Sequence, residues 1–293
     1  MDRYKKVIDE SKVTIDKETV ANEVSKILEK LDEYKKEEIY RLLFSCIDLT
    51  SLNTEDSQES ITAFTRRVND FDNEYPQYPN VAAICVYSNF AEVVAANLEV
   101  TGVDTAVVAG GFPSSQTFTA VKVADVALAV AGGANEVDVV MNIGMFRDGN
   151  YEELCDELIE LKHTAKDALM KVIIESGLLH APEQIRNASL LAMWSEADFI
   201  KTSTGKIYQG ATPEAAWVMC QCIREYHEKT GRKVGFKAAG GIRSAEDALK
   251  YYAIVKEVLG DEWLNPRLIR IGASSLANAL LAAMLDEAEV KYF

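Results

Sequence analysis

Glu136-Val-Asp-Val-Val140 is followed by an amphipathic stretch from Tyr151 to Leu169, and then by Lys171-Val-Ile-Ile-Glu175. Two short runs dense in β-branched residues, joined by a helical period, describe a βαβ unit with parallel strands. Neither run alternates strictly between apolar and polar, which suits strands covered on both faces. The same rhythm continues in both directions. Towards the N-terminus stand Leu43-Phe-Ser-Cys-Ile-Asp48, Val81-Ala-Ala-Ile-Cys-Val-Tyr87 and Asp104-Thr-Ala-Val-Val-Ala109, with a helical stretch from Ser114 to Gly132. Towards the C-terminus stand Asp198-Phe-Ile-Lys201, Lys233-Val-Gly-Phe-Lys237 and Leu268-Ile-Arg-Ile271. Eight such units in roughly 230 residues predict an α/β fold of the (β/α)8 TIM-barrel type. The alternative is an open doubly wound sheet, but no GxGxxG follows an early strand.

Residues 1–42 precede the first predicted strand. Thr14 to Lys30 and Leu31 to Leu43 read as two helices, with Asp16 and Thr19 as candidate N-caps for the first. Too short to bury a core of their own, they are expected to close the bottom of the barrel. The expected organisation is therefore one domain over 1–293: additional N-terminal helices over 1–42, a barrel over 43–284 and a tail over 285–293.

The 293 residues carry a formal net charge of −15. Nucleic acid and anionic membrane both require a basic footprint, so neither is expected as a partner. A small anionic substrate remains compatible with a local basic pocket. Cys46, Cys85, Cys155, Cys220 and Cys222 are scattered and include no CxxC pair, as in reduced cytosolic proteins. His163, His180 and His227 share no metal-ligand spacing, and His163 and His227 read as surface residues. No metal site and no cofactor is expected. Neither a membrane span nor a signal peptide is visible, and a cytoplasmic location follows as the default.

In this fold chemistry sits where strands end and βα loops begin. The predicted strands bring Asp48, Cys85, Asp138, Glu175, Lys201 and Lys237 to that region. Asp138 points inward between two outward-facing valines, and a buried carboxylate needs a cationic partner. Lys201 and Lys237, each ending an apolar run, are the candidates. A neighbouring ammonium depresses an amine's pKa, which makes one of the two lysines a candidate nucleophile. A buried structural ion network is the alternative use of the three residues. Three small-residue loops follow in barrel order: Thr204-Gly-Lys206, Ala239-Gly-Gly-Ile-Arg243 and Gly272-Ala-Ser-Ser-Leu276. Glycine lets backbone N–H groups approach an anion, and a helix N-terminus adds its dipole. Loops after strands seven and eight often hold phosphate in barrels, so a phosphorylated substrate is expected.

These motifs resemble the deoxyribose-phosphate aldolase family of class I, Schiff-base aldolases. The resemblance covers about 43–284 and rests on seven stretches: Ile47-Asp-Leu-Thr50, Ala83-Ile-Cys-Val-Tyr87, Glu136-Val-Asp-Val-Val140, Lys171-Val-Ile-Ile-Glu175, Asp198-Phe-Ile-Lys-Thr-Ser-Thr-Gly-Lys206, Gly235-Phe-Lys-Ala-Ala-Gly-Gly241 and Gly272-Ala-Ser-Ser275. It implies that Lys201 forms the Schiff base, that Lys237 lowers its pKa, and that Asp138 is the acid/base working with Lys237. Gly205, Lys206, Gly240, Gly241, Gly272, Ser274 and Ser275 match phosphate-binding positions. Asp48, Thr50 and Cys85 match positions lining the substrate pocket, and Lys171 matches one near the mouth that balances charge. The implied reaction is reversible retro-aldol cleavage of 2-deoxy-D-ribose 5-phosphate to D-glyceraldehyde 3-phosphate and acetaldehyde. It belongs to deoxyribose phosphate catabolism, and a homodimer is the implied assembly. The alternatives are another class I phosphosugar aldolase or thiolase on the same barrel, or a phosphosugar-binding barrel without turnover. The chain departs from the family pattern at Ala238 and Ser88, where proline is common. It also ends Lys291-Tyr-Phe293, so that the tyrosine is penultimate.

Overall fold

In the computed structural model, which describes residues 3–14, 16–206 and 208–293, eight parallel strands close into a barrel in sequence order. They are β1 (Ile47–Thr50), β2 (Ala83–Tyr87), β3 (Asp104–Ala109), β4 (Glu136–Val140), β5 (Leu169–Ile173), β6 (Phe199–Lys201), β7 (Gly235–Ala239) and β8 (Ile269–Ala273). The ring closes where β1 pairs with β8, Asp48 opposite Gly272. The predicted (β/α)8 barrel is the observed fold.

Several boundaries move. The first strand starts at Ile47 instead of Leu43, because Leu43 and Phe44 complete the amphipathic helix Glu37–Ser45 and bury its apolar stripe. The helix expected from Ser114 begins at Thr119, after a loop in which Ser115 takes a left-handed φ of 59°. The helix from Tyr151 ends at Ala165, and Leu169 already belongs to β5. Glu175 consequently lies past β5, at φ 50°.

The N-terminal segment does not cap the bottom of the barrel. Its helix Lys17–Leu28 lies on the outer helical ring against Pro213–Thr230 and Ala245–Leu259, burying Val20, Val24 and Ile27. Burial of such a side chain contributes about 1.5–3 kcal/mol, enough to hold a two-turn face in place. An unpredicted helix, Arg3–Asp9, packs on Pro182–Trp194. Of the two candidate caps, Asp16 is the N-cap and accepts the Thr19 amide at 2.7 Å, while Thr19 lies inside the helix. The expected second helix splits into a 3-10 turn, Leu31–Tyr34, and Glu37–Ser45. Met1, Asp2, Ile15 and Ile207 lie outside the described residues, and Ile15 falls within the helix expected from Thr14. At the other terminus, Asn278 Oδ1 accepts the amides of Tyr292 and Phe293, each at 2.9 Å. The Tyr292 hydroxyl donates to the Arg67 carbonyl at 3.0 Å, so this tail is docked on the barrel's flank.

The barrel interior is asymmetric. The β2 and β3 side is filled by small apolar groups, with Ala83, Cys85, Ala106 and Val108 packed beneath Leu52. The opposite side is ionic. All five cysteines are buried. His163 is exposed as expected, whereas His227 is partly covered, its ring 5.2 Å from that of Trp263.

Candidate active site

Register brings the charges together. Asp138 on β4 pairs with Lys171 on β5, and Lys201 on β6 with Lys237 on β7. Each is an inward position, so the side chains meet in the barrel's middle. Asp138 Oδ2 accepts from both Lys201 Nζ, at 2.7 Å, and Lys237 Nζ, at 2.6 Å. Asp138 Oδ1 accepts from Lys171 Nζ at 3.0 Å. Lys237 also donates to Asp48, and Lys171 to Glu136. Arg270 on β8 reaches Asp48 at 2.6 Å and Glu136 at 2.7 Å. Asp48, Glu136, Asp138, Lys171 and Lys237 have no exposed surface, and Lys201 retains 4%. That residual exposure makes Lys201 the cluster's opening to the cleft above.

The electrostatics separate the two neighbouring lysines. Burial pulls the Lys201 amine below the ordinary lysine value; Asp138 opposes this, and the Lys237 ammonium reinforces it. Burial acts on Lys237 in the same sense, but Asp138 and Asp48 both contact it and drive it above that value. Although burial disfavours the charged form, Lys171, Lys201 and Lys237 hold the Asp138 carboxyl well below the usual carboxylate range. Asp48 is likewise lowered against burial, by Lys237 and Arg270. The site thus holds fixed carboxylates, two firmly protonated lysines, Lys171 and Lys237, and one loosened amine, Lys201, at the surface of the cluster.

Over Lys201 opens a cleft of about 240 Å³, lined by Thr50, Gly205, Lys206, Gly240, Gly241, Gly272, Ser274 and Ser275, with Arg243 at its edge. Gly205, Gly240 and Gly241 have φ between 73° and 86°, a region that favours glycine. Gly210 packs so closely on the Gly240 carbonyl that a Cβ would lie 2.1 Å from the oxygen. The loop after β6 is pinned further by Glu175, whose carboxylate accepts from the Thr204 amide at 3.2 Å and its hydroxyl at 2.7 Å. Ser274 and Ser275 stand at the start of helix Leu276–Leu285, whose unpaired amides and dipole suit an anion. Lys206 reaches across to donate to the Leu52 carbonyl.

All of the residues singled out from sequence therefore gather in one region, but on two levels. Thr50, Lys201 and the phosphate candidates line the cleft. Asp48, Cys85, Lys171, Asp138 and Lys237 lie buried beneath it. Lys171 is not near the mouth as expected: β5 begins at Leu169, which sets Lys171 beside Asp138 in the interior. Asp48 does not line the cleft either, since Lys237 and Arg270 occupy its oxygens. Sequence reading missed Glu136 and Arg270. Their signal is a charge at an inward position of an apolar strand, which by itself names no partner.

A family model described as DeoC/LacD family aldolase matches residues 43–281. The chain belongs to this aldolase family. It is 41% identical over 241 residues to the deoxyribose-phosphate aldolase of Homo sapiens, covering 78% of this chain and 76% of that one. It is 38% identical over 279 residues to that of Bos taurus, covering 91% and 87%. Among solved structures, one described as "QR15, an Aldolase" superposes with a TM-score of 0.67 at 28% identity, covering 83% of this chain and 98% of that one. The aldolase family match spans all eight strands, and so includes every residue of the buried cluster.

Proposed function

We propose that this aldolase cleaves 2-deoxy-D-ribose 5-phosphate to D-glyceraldehyde 3-phosphate and acetaldehyde through a Schiff base on Lys201. The observation that carries this reading is the shared Asp138 oxygen, with the loosened amine of Lys201 on one side and the protonated Lys237 on the other.

The chemical problem is that breaking a C–C bond beside a carbonyl leaves a high-energy carbanion. An iminium accepts that electron pair. A free lysine, with a pKa of about 10.4, is almost wholly protonated at pH 7. Each pKa unit by which burial and a neighbouring ammonium lower an amine raises its neutral fraction about tenfold, or about 1.4 kcal/mol. Neutral Lys201 attacks the substrate's aldehyde carbon to give a carbinolamine. Asp138, held as a carboxylate, passes a proton from Lys237 to the departing hydroxyl, and water leaves. Loss of the proton from the substrate's C3 hydroxyl breaks the C2–C3 bond, and the electron pair enters the iminium to form an enamine. D-glyceraldehyde 3-phosphate departs. A proton returned to the enamine carbon regenerates an iminium, and water hydrolyses it to acetaldehyde and free Lys201.

The cleft supports recognition of the phosphate by Lys206, the left-handed glycines and the amides beside Ser274 and Ser275. Residues 1–293 are read as one working unit. The cytoplasm is the proposed compartment; no described helix is long and apolar enough to cross a membrane. A homodimer is the proposed assembly. The exposed row Phe118, Val121 and Leu128, on and beside one helix, is a face it would cover.

The test is borohydride reduction with acetaldehyde followed by peptide mass mapping. The label is expected on Lys201, and a label elsewhere overturns the assignment. A coupled assay across phosphorylated aldoses then separates the proposed substrate from that of another class I aldolase.

A further inference from the structure

Four buried cations face three buried carboxylates inside the barrel. The cations are Lys171, Lys201, Lys237 and Arg270; the carboxylates are Asp48, Glu136 and Asp138. With all seven ionised, the cluster carries one uncompensated positive charge. An uncompensated charge out of water is a costly state, and loss of one proton relieves it.

The identity of the group that loses the proton follows from geometry. A guanidinium keeps its charge in proteins, so Arg270 cannot supply it. Arg270 engages both oxygens of Glu136, at 2.7 and 3.1 Å, and one of Asp48, at 2.6 Å. Lys237 contacts two carboxylates, and Lys171 three. Lys201 contacts one, Asp138, through an oxygen shared with Lys237. The worst-compensated cation is the one at the cleft.

We propose that Arg270, at the far end of the network from the cleft, is a positioning residue that uses up carboxylate charge from below and so leaves Lys201 as the neutral amine. It touches no substrate. It acts through Asp48 and Glu136, which hold Lys237 and Lys171. The other titratable groups around it are consistent with this role. Asp104 approaches Arg270 at 3.9 Å, but its side chain is 45% exposed and therefore screened by water. Cys46 and Cys85 are buried, and burial pushes both thiols up, so they add no charge at neutral pH.

The proposal rests on Lys201 being the Schiff-base amine. It makes a sign-specific prediction for three variants, read as the midpoint of the acid limb of acetaldehyde-dependent borohydride trapping against pH. Arg270→Met removes the surplus charge, so the midpoint is expected to move up by about one unit, a roughly tenfold slower trapping at pH 7. Glu136→Gln increases the surplus, so the midpoint moves down. The double variant restores four-against-three as three-against-two, and its midpoint returns close to that of the unaltered enzyme. If Arg270→Met does not fold, the Glu136→Gln and double variants decide the matter by the same signs. Three midpoints coincident with the unaltered enzyme, whatever happens to the maximal rate, would overturn the role of Arg270. A label away from Lys201 in the unaltered enzyme would overturn this proposal and the functional reading together.

Discussion

Lys201 and Lys237 stand opposite each other across the β6–β7 register and donate to the same oxygen of Asp138, at 2.7 and 2.6 Å. Two amines of identical chemistry are thereby set apart by what else each one touches. Lys237 has a second carboxylate, Asp48, and Lys201 has an open cleft.

Replacing Lys237 with leucine keeps much of its volume and removes the ammonium. Asp138 retains Lys171 and Lys201, so the fold is expected to persist by circular dichroism. Lys201 would then become the closest cation to that oxygen and be held protonated. Turnover is expected to fall by roughly a thousandfold or more. Rates like those of the unaltered enzyme would refute the pairing argument.

Protonation of the cluster also links stability to pH. Asp48 and Asp138 have folded pKa values below their unfolded ones. Their contribution is present above about pH 4 and is lost as pH falls through the folded values. Lys171 and Lys237 have folded values above their unfolded ones. Their contribution is full below about pH 10 and is lost as pH rises through the folded values. A thermal-melt series from pH 3 to 11 is expected to give a broad plateau at neutral pH with a fall on the acid side. A maximum near pH 4.8, the isoelectric point, would contradict this.

The loop after β6 depends on a close backbone approach. In Gly210→Ala the new methyl would sit 2.1 Å from the Gly240 carbonyl oxygen, and backbone must move to admit it. The glycines lining the cleft would then spread. KM for the phosphorylated substrate is expected to rise about tenfold, equivalent to about 1.4 kcal/mol, with a much smaller change for unphosphorylated 2-deoxyribose. Equal losses on both substrates would show that the contact serves folding alone.

The tail gives a contrasting expectation. Tyr292→Phe removes one hydroxyl that donates to the Arg67 carbonyl on the barrel's flank. Stability is expected to fall by about 0.5–1.5 kcal/mol, with kcat within about twofold. A loss of kcat of tenfold or more would mean that this hydroxyl leaves its docked place during turnover.

Much of this was legible because strands and loops signal themselves locally. The β-branched runs marked seven strands to within two residues, and lysines ending apolar runs marked Lys201 and Lys237. The first strand was misplaced because Leu43 and Phe44 are as apolar as the strand that follows, so no boundary shows in composition. The expectation of Lys171 at the mouth comes from the family resemblance alone; the register that sets it beside Asp138 appears only once β4 and β5 are paired. Glu136 and Arg270 were missed for a different reason. A single charge within a short strand is common, and its meaning emerges only when the barrel closes and places β8 within reach of β1 and β4. The outer position of the N-terminal helices depends on which ring helices they meet, and no local pattern states that.

Every ionised group beneath the cleft is carried by a strand, whereas the glycines and Lys206 that frame the cleft come mainly from loops. On the proposed reading, the groups assigned to bond making and breaking are thus built into the barrel wall, and those assigned to substrate choice are hung on segments that tolerate insertion and exchange. New aldehyde acceptors should accordingly be sought by remodelling the loops after β6 and β7, leaving the wall untouched.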